Sequence, residues 1–499
     1  MDGSGAGKSA CYVKPNIMQC LGSYIITDPK GELYKETSGY LRANGYEVRA
    51  LNLVNPDYSD RYNPLAHIVD HSSVDDLAEI IVQGTKKNMS GSTDPFWDDT
   101  AKMLLKAVIY YVISVLPEEE QNLASCMNII RAGGSDETIF KKLFIDELKP
   151  EHPGRKEYEN FSTAADKTMQ SIVISTISKI HIFDTPAMQK ITTSNNFDFD
   201  SIDDKKVAIF VIISAANSTY DFISAMFFSQ MLNKLFKKAD THGGLKNQVY
   251  FLLDEFPNIS QIPDFEKKLS TGRSYGISIS IVVQALDQLE SLYKEQYETI
   301  IGNCDTQLFL GSQSLKTCEY FSKSLGQKTI RVKNKSVNKD KTEWEKQGVS
   351  ISHQQQGREL MTVDELKRLD PNEEIILVRT LKPIKTKKAW YFKYHPMREV
   401  IKQYEMRDIS QMPKTDDVPI KVMDVRKHLQ ERENRARQII NQKNIEVEPM
   451  QNTPIINSLP NQNNGSGQIA PQPPKASDES FDLQKELEKK FDELFGTDN

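Results

Sequence analysis

The chain has 499 residues, enough for two or three domains, and its 38% hydrophobic and 26% charged residues are typical of a globular protein. The longest apolar run, Val207 to Ile213, is far too short to span a bilayer, and the five cysteines form no C-x-x-C pair, which argues against a disulfide scaffold and a zinc site. The formal net charge is −6, of which −5 falls in residues 478–499 with their eight acidic and three basic residues, so the nearly neutral remainder can still carry basic surfaces for nucleic acid.

The first predicted element is a phosphate-binding loop. Gly3, Gly5 and Gly7 are followed directly by Lys8 and Ser9. This is most of the P-loop pattern G-x-x-x-x-G-K-[ST], in which backbone N–H groups surround phosphate oxygens, the lysine reaches the β- and γ-phosphates and the hydroxyl binds Mg²⁺. The first glycine of the pattern is replaced by an aspartate at position 2, and a flexible glycine-serine start is the alternative interpretation. The strand that should feed the loop does not precede it, so we expect the chain to be N-terminally truncated.

The next residues alternate between helix and strand patterns. In chain order, they predict a helix from Ser9 to Leu21 that Pro15 ends early or kinks, a strand from Ser23 to Thr27, a helix to about Ala43 and a strand from Tyr46 to Leu53. Strands that alternate with helices indicate a parallel α/β sheet.

A block of helical patterns occupies residues 73–187. Apolar residues recur there at spacings of three and four, most clearly in the stripe Trp97, Ala101, Leu104, Leu105, Val108 and Tyr111. Such a stripe normally packs in a core. The block is therefore predicted to be an all-helical domain inserted into the α/β domain.

The α/β pattern resumes with a strand from Val207 to Ile213 and a helix from about Tyr220 to Lys238. A second apolar strand begins at Val249 and ends in Asp254 and Glu255, as a Walker B strand does. In that interpretation Asp254 holds Mg²⁺ and Glu255 polarises the water that attacks the γ-phosphate. A buried strand that happens to end in acidic residues is the alternative, and the P-loop favours the Walker B interpretation.

Two more side chains are candidates for the nucleotide site. A strand predicted from Ile277 to Val283 ends at Gln284, whose amide could sense the γ-phosphate or simply cap the strand. Arg273 precedes that strand and is either an ordinary surface arginine or an arginine finger offered to the nucleotide of the next subunit. A last core strand is predicted from Thr306 to Leu310, followed by a helix from about Thr317 to Leu325.

Two basic segments follow. Residues 327–356 are polar, with seven Lys/Arg against three acidic residues between positions 328 and 346, and are predicted to form a mobile hairpin or loop. Residues 379–393 carry six basic and no acidic residues together with Trp390, Tyr391 and Phe392. The second segment could contact a DNA backbone and stack bases, or form a solvated edge strand protected by lysines. Between the two, residues 358–369 predict a short helix and residues 374–379 a strand.

The globular pattern weakens beyond residue 404. Residues 424–443 predict a polar helix, and residues 452–475, rich in Asn, Gln, Pro and Gly, predict a disordered linker. The last apolar residues lie at helical spacing within acidic surroundings; they are Phe481, Leu483, Leu487, Phe491, Leu494 and Phe495. They predict an amphipathic terminal helix that captures a partner or a basic surface, or folds back onto its own body.

The set of motifs resembles that of the type IV coupling proteins, the ATPases that deliver DNA–relaxase complexes to conjugative type IV secretion channels. The motifs are Gly3-Ser-Gly-Ala-Gly-Lys-Ser9 with Val13-Lys-Pro-Asn16, Asp28-Pro-Lys-Gly-Glu-Leu33, Tyr62-Asn-Pro-Leu65, Phe96-Trp97, Leu253-Asp-Glu-Phe256, Gly272-Arg273 with Gly276-Ile277, and Gln284. The Asp-Pro-Lys-Gly-Glu element is specific, because generic P-loop proteins lack it. The resemblance extends to Leu381-Lys-Pro-Ile384 and so covers roughly the first four-fifths of the chain.

The resemblance implies a RecA-like P-loop NTPase domain that is interrupted by an all-helical domain and binds ATP and Mg²⁺. It further implies a homo-hexamer assembled as a ring around single- or double-stranded DNA. Carried over by position, the site residues are Gly3, Gly5, Gly7, Lys8 and Ser9 for ATP, Ser9 and Asp254 for Mg²⁺, and Glu255, Gln284 and, in trans, Arg273 for hydrolysis.

The predicted organisation has four parts. Residues 1–72 and 188–403 form the two parts of the P-loop NTPase domain, residues 73–187 the helical insertion, and residues 404–499 the polar helix, linker and terminal helix. The resemblance implies that the helical domain meets relaxase and relaxosome proteins or the ATPases of the secretion channel. The resemblance implies a membrane anchor before the P-loop, and we expect this chain to lack it. We therefore expect the full-length protein at the cytoplasmic face of the bacterial plasma membrane and this chain in the cytoplasm.

The predicted function is that of the cytoplasmic ATPase part of a coupling protein, which recruits the DNA–relaxase substrate and drives or licenses single-stranded DNA transfer during conjugation. One rival is a receptor that docks relaxosome proteins without processive translocation and uses nucleotide only as a switch. Hydrolysis stimulated by DNA would distinguish the two. The second rival is an ATPase-dead fragment whose helical domain and tail still bind partners, which the missing strand favours.

Overall fold

The structure is a computed structural model that describes residues 7–84, 95–165, 168–214, 219–337, 349–407, 409–412, 414–415 and 418–445. The described residues belong to two compact units. The first unit falls within the ranges Met1–His67, Asp76–Gly91 and Pro186–Val418, and the second within Ile68–Asp75, Ser92–Thr185 and Pro419–Asn499. The strands that the structure describes all belong to the first unit.

Helices and strands alternate along the chain both before and after the helical block, as the sequence predicts. The elements up to residue 192 are α1 Lys14–Ile17, β1 Ser23–Thr27, α2 Glu32–Ala43, β2 Glu47–Asn52, α3 His71–Gly84, α4 Pro95–Val115, α5 Leu123–Ser135, α6 Glu137–Phe144, α7 Pro153–Ala165, α8 Met169–Ile180 and α9 Pro186–Thr192. The elements after residue 192 are β3 Val207–Ile212, α10 Asp221–His242, β4 Val249–Leu253, α11 Phe265–Gly272, β5 Ile277–Ile281, α12 Leu286–Tyr293, α13 Tyr297–Gly302, β6 Thr306–Phe309, α14 Leu315–Leu325, β7 Gln327–Val337, β8 Val349–Glu359, α15 Val363–Lys367, β9 Glu373–Val378, β10 Ile384–Lys387, α16 His395–Tyr404 and α17 Val425–Ile445.

The centre of the first unit is a parallel sheet with the strand order β2-β3-β1-β4-β5. Strand β1 pairs with β3 on one side and with β4 on the other, where Thr27 lies opposite Leu253. Every residue of β1 and β3 is buried, as expected of parallel strands that are covered on both faces. The predicted parallel α/β sheet is confirmed. The carboxyl ends of β1, β4 and β5 lie side by side at one edge of it.

Helices cover both faces of this sheet. On one face, Ile17 of α1 and Leu41 of α2 cluster with Tyr24 of β1. On the other face, Phe228 of α10 contacts Phe251 of β4, with ring centroids 6.5 Å apart. Apolar side chains therefore pack on both faces of the sheet.

The helix predicted from Ser9 to Leu21 is shorter than expected. It consists of a π-helical turn, Ser9–Val13, followed by α1, which ends at Ile17. Pro15 lies within α1 and does not end it. Because Pro15 has no N–H to donate to the carbonyl of Cys11, the turn before it is widened and not broken.

The strand predicted from Thr306 to Leu310 does not belong to the core sheet, and that prediction is wrong. Strand β6 pairs antiparallel with β9, and β9 pairs antiparallel with β10, so the three form a second sheet. The pairing places Thr306 opposite Val378, a partner too distant along the chain for a local pattern to reveal. Strand β10 is exposed along its whole length, so the basic segment 379–393 includes the edge strand that was one of its two interpretations.

Strands β7 and β8 form an antiparallel hairpin of their own. Of the two interpretations of residues 327–356, a hairpin or a loop, the hairpin is confirmed for the described residues, and its strands continue to Glu359. The connecting residues 338–348 lie outside the described residues.

The second unit is helical where it is described. The predicted stripe on α4 packs in its core: Leu104, Leu105, Val108 and Tyr111 are fully buried, whereas Trp97 is half-buried. Helix α17, which matches the polar helix predicted at residues 424–443, belongs to this unit. The linker predicted at residues 452–475 and the predicted terminal helix lie outside the described residues. Among the helices that the structure describes, none combines the length and apolarity needed to cross a membrane.

Candidate nucleotide-binding site

The described part of the P-loop leads directly into the π-helical turn. Gly7 has a φ of +81°, in the left-handed region that favours glycine, and its carbonyl accepts the N–H of Cys11 at 2.7 Å. Lys8 and Ser9 follow at the beginning of the helix, where backbone N–H groups have no intrahelical acceptor. Gly3 and Gly5 lie outside the described residues.

The two acidic residues after β4 face these P-loop side chains. Ser9 Oγ donates a hydrogen bond to Asp254 Oδ2 at 2.5 Å, and Lys8 Nζ forms an ion pair with Glu255 Oε1 at 2.8 Å. Glu255 has a φ of +51°, a conformation that costs a non-glycine residue on the order of 1 kcal/mol and occurs often at functional sites. The structure therefore brings the predicted P-loop and Walker B residues together.

Gln284 joins the same cluster from the end of β5. Its Nε2 donates to both carboxylate oxygens of Glu255, at 3.0 and 2.9 Å. Because β4 and β5 are neighbouring parallel strands, their ends place Glu255 and Gln284 at the same edge.

Arg273 lies outside this cluster. Its side chain is 89% exposed, and its Nη1 forms an ion pair with Asp305 Oδ2 at 3.0 Å. Arg379 binds the other oxygen of the same carboxylate at 3.1 Å. Within one subunit, Arg273 is thus an exposed cation held away from Lys8 and Glu255.

Two residues at the end of β1 also support the site, although the sequence singled out neither as a site residue. Thr27 Oγ1 donates to the carbonyl oxygen of Asp254 at 2.6 Å. The Asp28 carboxylate accepts the N–H of Tyr34 at 2.7 Å. Burial, with a smaller contribution from the charge of Asp254, raises the pKa of Asp28 to about 6 in spite of such hydrogen bonds. The specific Asp-Pro-Lys-Gly-Glu motif was the sequence signal that could have pointed to them.

Burial also raises the pKa of Asp254, while the hydrogen bond from Ser9 and the charge of Lys8 oppose the shift. The site therefore holds a carboxylate that is poorly hydrated and depends on neighbouring donors or a cation. A hydroxyl oxygen and a carboxylate oxygen side by side are the oxygen ligands that Mg²⁺ prefers. Lys8 and the N–H groups at the start of the helix suit phosphate oxygens, so the residues present fit a magnesium-bound nucleotide.

An aromatic side chain packs directly on the P-loop. A Cβ atom added to Gly7 would lie 2.6 Å from Cη2 of Trp390, so the indole ring touches the loop backbone. Beside it, Lys14 Nζ lies 4.9 Å from the ring centroid of Tyr391. The sequence marked these aromatic residues as candidates for base stacking, but Trp390 is half-buried against Gly7. A contact between residues so far apart in the sequence has no local signal.

A parallel sheet that gathers a P-loop lysine and hydroxyl against an acidic pair at its carboxyl edge defines the class of RecA-like P-loop proteins, here with a helical domain. The family model described as type IV secretory system conjugative DNA transfer matches residues 1–416, and the chain belongs to this family.

Relatives and solved structures agree with this assignment. The chain is 21% identical over 405 residues to protein VirD4 of Agrobacterium fabrum, covering 79% of this chain and 58% of the relative. It is 22% identical over 388 residues to the conjugal transfer protein TraG of Escherichia coli, covering 73% of this chain and 60% of the relative. The chain thus spans less than two-thirds of the length of these curated relatives.

Solved structures of the bacterial conjugative coupling protein TrwB share the fold. The trigonal form in complex with sulphate has a TM-score of 0.56 and 14% identity, covering 81% of this chain and 86% of that chain. The complex of TrwB with the non-hydrolysable ATP analogue ADPNP has a TM-score of 0.52 and 12% identity, covering 81% and 85%. At such identities the likeness establishes the fold.

Proposed function

We propose that this chain binds ATP with Mg²⁺ and hydrolyses it. The observation that carries the proposal is the cluster formed by Lys8, Ser9, Asp254, Glu255 and Gln284 at the carboxyl edge of the sheet. The binding of an ATP analogue by the related TrwB supports the choice of nucleotide.

Each residue of the cluster has a role in this proposal. Ser9 and Asp254 hold Mg²⁺, which when bound neutralises charge on the phosphate oxygens. Lys8 leaves Glu255 and binds the phosphates, together with the N–H groups of the P-loop. The freed Glu255 carboxylate orients the attacking water and accepts its proton, and Gln284, which already donates to Glu255, reads the γ-phosphate.

The proposed cellular role is that of the ATPase part of a conjugative coupling protein. Family membership supports a place in conjugative DNA transfer through a type IV secretion system. We propose that hydrolysis drives or licenses the passage of single-stranded DNA, and that the helical unit recruits relaxase and relaxosome proteins or meets the channel ATPases. The proposed assembly is a homo-hexamer, in which the exposed Arg273 reaches the nucleotide of the next subunit, at the cytoplasmic face of the plasma membrane.

The test is ATP hydrolysis by the full chain with and without DNA. A motor predicts magnesium-dependent hydrolysis that DNA stimulates, and a Glu255→Gln variant that still binds ATP but does not turn it over. A receptor that uses nucleotide as a switch predicts binding without stimulation. If the wild-type chain shows no magnesium-dependent nucleotide binding, the proposal is wrong.

A further inference from the structure

The hairpin of β7 and β8 is a largely exposed part of the first unit. Its strands pair from Gln327 opposite Glu359 to Val337 opposite Val349. Nearly all of its described side chains are exposed, and only Ile330, Val332 and Glu359 are half-buried. A two-stranded ribbon of this kind gains little stability from burial. Burial therefore does not explain which residue types lie on its two faces.

One face of this hairpin carries a row of cations. Side chains alternate between the faces of a strand, so Arg331, Lys333 and Lys335 lie on the same face, about 7 Å apart. Directly opposite them on β8 are Gln355, His353 and Ile351. Within the described residues none of the three cations has a carboxylate partner.

The charge of the hairpin is concentrated in its strands. The connecting residues 338–348 contain three lysines and three acidic residues, which balance. The strands contain five basic residues, counting Lys328 and Arg358, against the single carboxylate of Glu359. This uncompensated positive charge stands out in a chain whose net charge is −6.

We propose that the face formed by Arg331, Lys333 and Lys335 binds the phosphate backbone of duplex DNA. A two-stranded ribbon fits the major groove of B-DNA, which is about 12 Å wide, and a row of unpaired cations matches the charge of the phosphates. The described strands contain no Phe, Tyr or Trp, the side chains on which single-stranded DNA stacks. The contact is therefore electrostatic, independent of sequence and directed to the duplex.

This inference rests on the proposed role in DNA transfer, and the test separates the two. The test variant of the full chain changes Arg331, Lys333 and Lys335 to Gln. The matched control changes Lys382, Lys385 and Lys387 to Gln; these exposed residues belong to the other basic segment. Both variants move the formal net charge from −6 to −9, since each loses three positive charges. Fluorescence anisotropy with a 20-bp duplex and a 20-nucleotide single strand, each labelled and of arbitrary sequence, gives affinity at several salt concentrations.

The hairpin variant should lose duplex affinity by about 10- to 100-fold at low salt, and the slope of log affinity against log salt should become shallower by about 3. The control should stay within about threefold of the wild type, and the affinity of the hairpin variant for the single strand should fall much less. Hydrolysis of ATP without DNA should be unchanged in both variants.

Three results would overturn the inference. They are an unchanged duplex affinity of the hairpin variant, an equal or larger loss in the control, and a single-strand loss as large as the duplex loss. If the hairpin variant keeps its duplex affinity but no longer binds a peptide of residues 478–499, the cationic face binds the acidic end of the chain itself and not DNA. If the wild type binds duplex through this face but hydrolyses no ATP, the proposed function fails and the inference stands.

Discussion

Lys8 Nζ and Glu255 Oε1 lie 2.8 Å apart in a half-buried ion pair, so the proposed phosphate-binding lysine and the proposed catalytic carboxylate neutralise each other. Gln284 holds the same carboxylate through both oxygens. Phosphates that bind Lys8 must therefore compete with Glu255. The exchange would release the carboxylate for water only when nucleotide is in place.

The first prediction concerns this competition. Glu255→Gln removes the charge that retains Lys8 but keeps the size of the side chain. The affinity for a non-hydrolysable ATP analogue should rise by about 2- to 10-fold, corresponding to the loss of a competing ion pair, while hydrolysis falls by about 10²- to 10⁴-fold. Isothermal titration and steady-state kinetics measure the two effects. Lys8→Ala is the comparison and should lose analogue affinity; weaker binding by Glu255→Gln would contradict the competition.

The second prediction concerns the contact between Gly7 and Trp390. Gly7→Ala should weaken analogue binding and lower the free energy of unfolding by about 1–3 kcal/mol, because the new Cβ meets the indole ring and φ is positive. In a Trp390→Ala background the same change should cost less, since the two nearest atoms to the new Cβ belong to the removed indole ring, while the backbone strain and the contact with Cys11 Sγ remain. A double-mutant cycle measures this coupling. Strictly additive effects would show that the ring does not position the loop.

The core of the site was predictable because its parts are local motifs at the ends of strands. The patterns around Lys8, Asp254 and Gln284 each indicate a strand end or a helix start, and parallel strands bring such ends to one edge. The packing of Trp390 on Gly7 and the pairing of β6 with β9 were not predictable. Both join segments that are distant in sequence, and aromatic or alternating patterns do not specify a partner. The cations on one face of the hairpin appeared in the sequence only as a charge excess, because their alignment depends on strand register.

The third prediction concerns pH and Asp28. Its pKa is raised from 3.8 to about 6 in the folded protein by burial, so the folded state binds the proton more tightly than the unfolded state does. Its contribution to stability is complete below about pH 4 and is lost as pH rises through about 6. Relative to Asp28→Asn, the wild type should therefore lose up to about 3 kcal/mol of unfolding free energy between pH 4 and pH 7. Urea denaturation of both proteins across this range measures the difference. If the difference in unfolding free energy between the two proteins does not change with pH, the raised pKa of Asp28 is refuted, even if the substitution destabilises the protein by a constant amount.

The fourth prediction concerns Arg273 and Arg379, which bind opposite oxygens of the Asp305 carboxylate. Both are exposed, by 89% and 77%, so each provides a matched control for the other. If Arg273 acts on the nucleotide of the next subunit, Arg273→Ala should lower hydrolysis by about 10³-fold or more with little change in analogue affinity. Arg379→Ala removes an equivalent ion pair and should stay near wild-type activity.

Mixing experiments test whether Arg273 acts between subunits. A subunit that lacks the arginine disables the site of its neighbour and leaves its own intact, so in a mixture of wild-type and Arg273→Ala subunits the number of complete sites equals the number of wild-type subunits in any arrangement, and this mixture alone does not show where the arginine acts. Combining Arg273→Ala with Glu255→Gln subunits is the sharper measurement, because a site formed by the intact halves of both can regain activity that neither parent has. Such complementation requires Arg273 and Glu255 of one site to come from different chains. Its absence, with mixed assemblies verified by mass spectrometry, would contradict the proposed action of Arg273 on the neighbouring subunit, and an Arg273→Ala variant of unchanged activity would leave the pair with Asp305 as a purely structural contact.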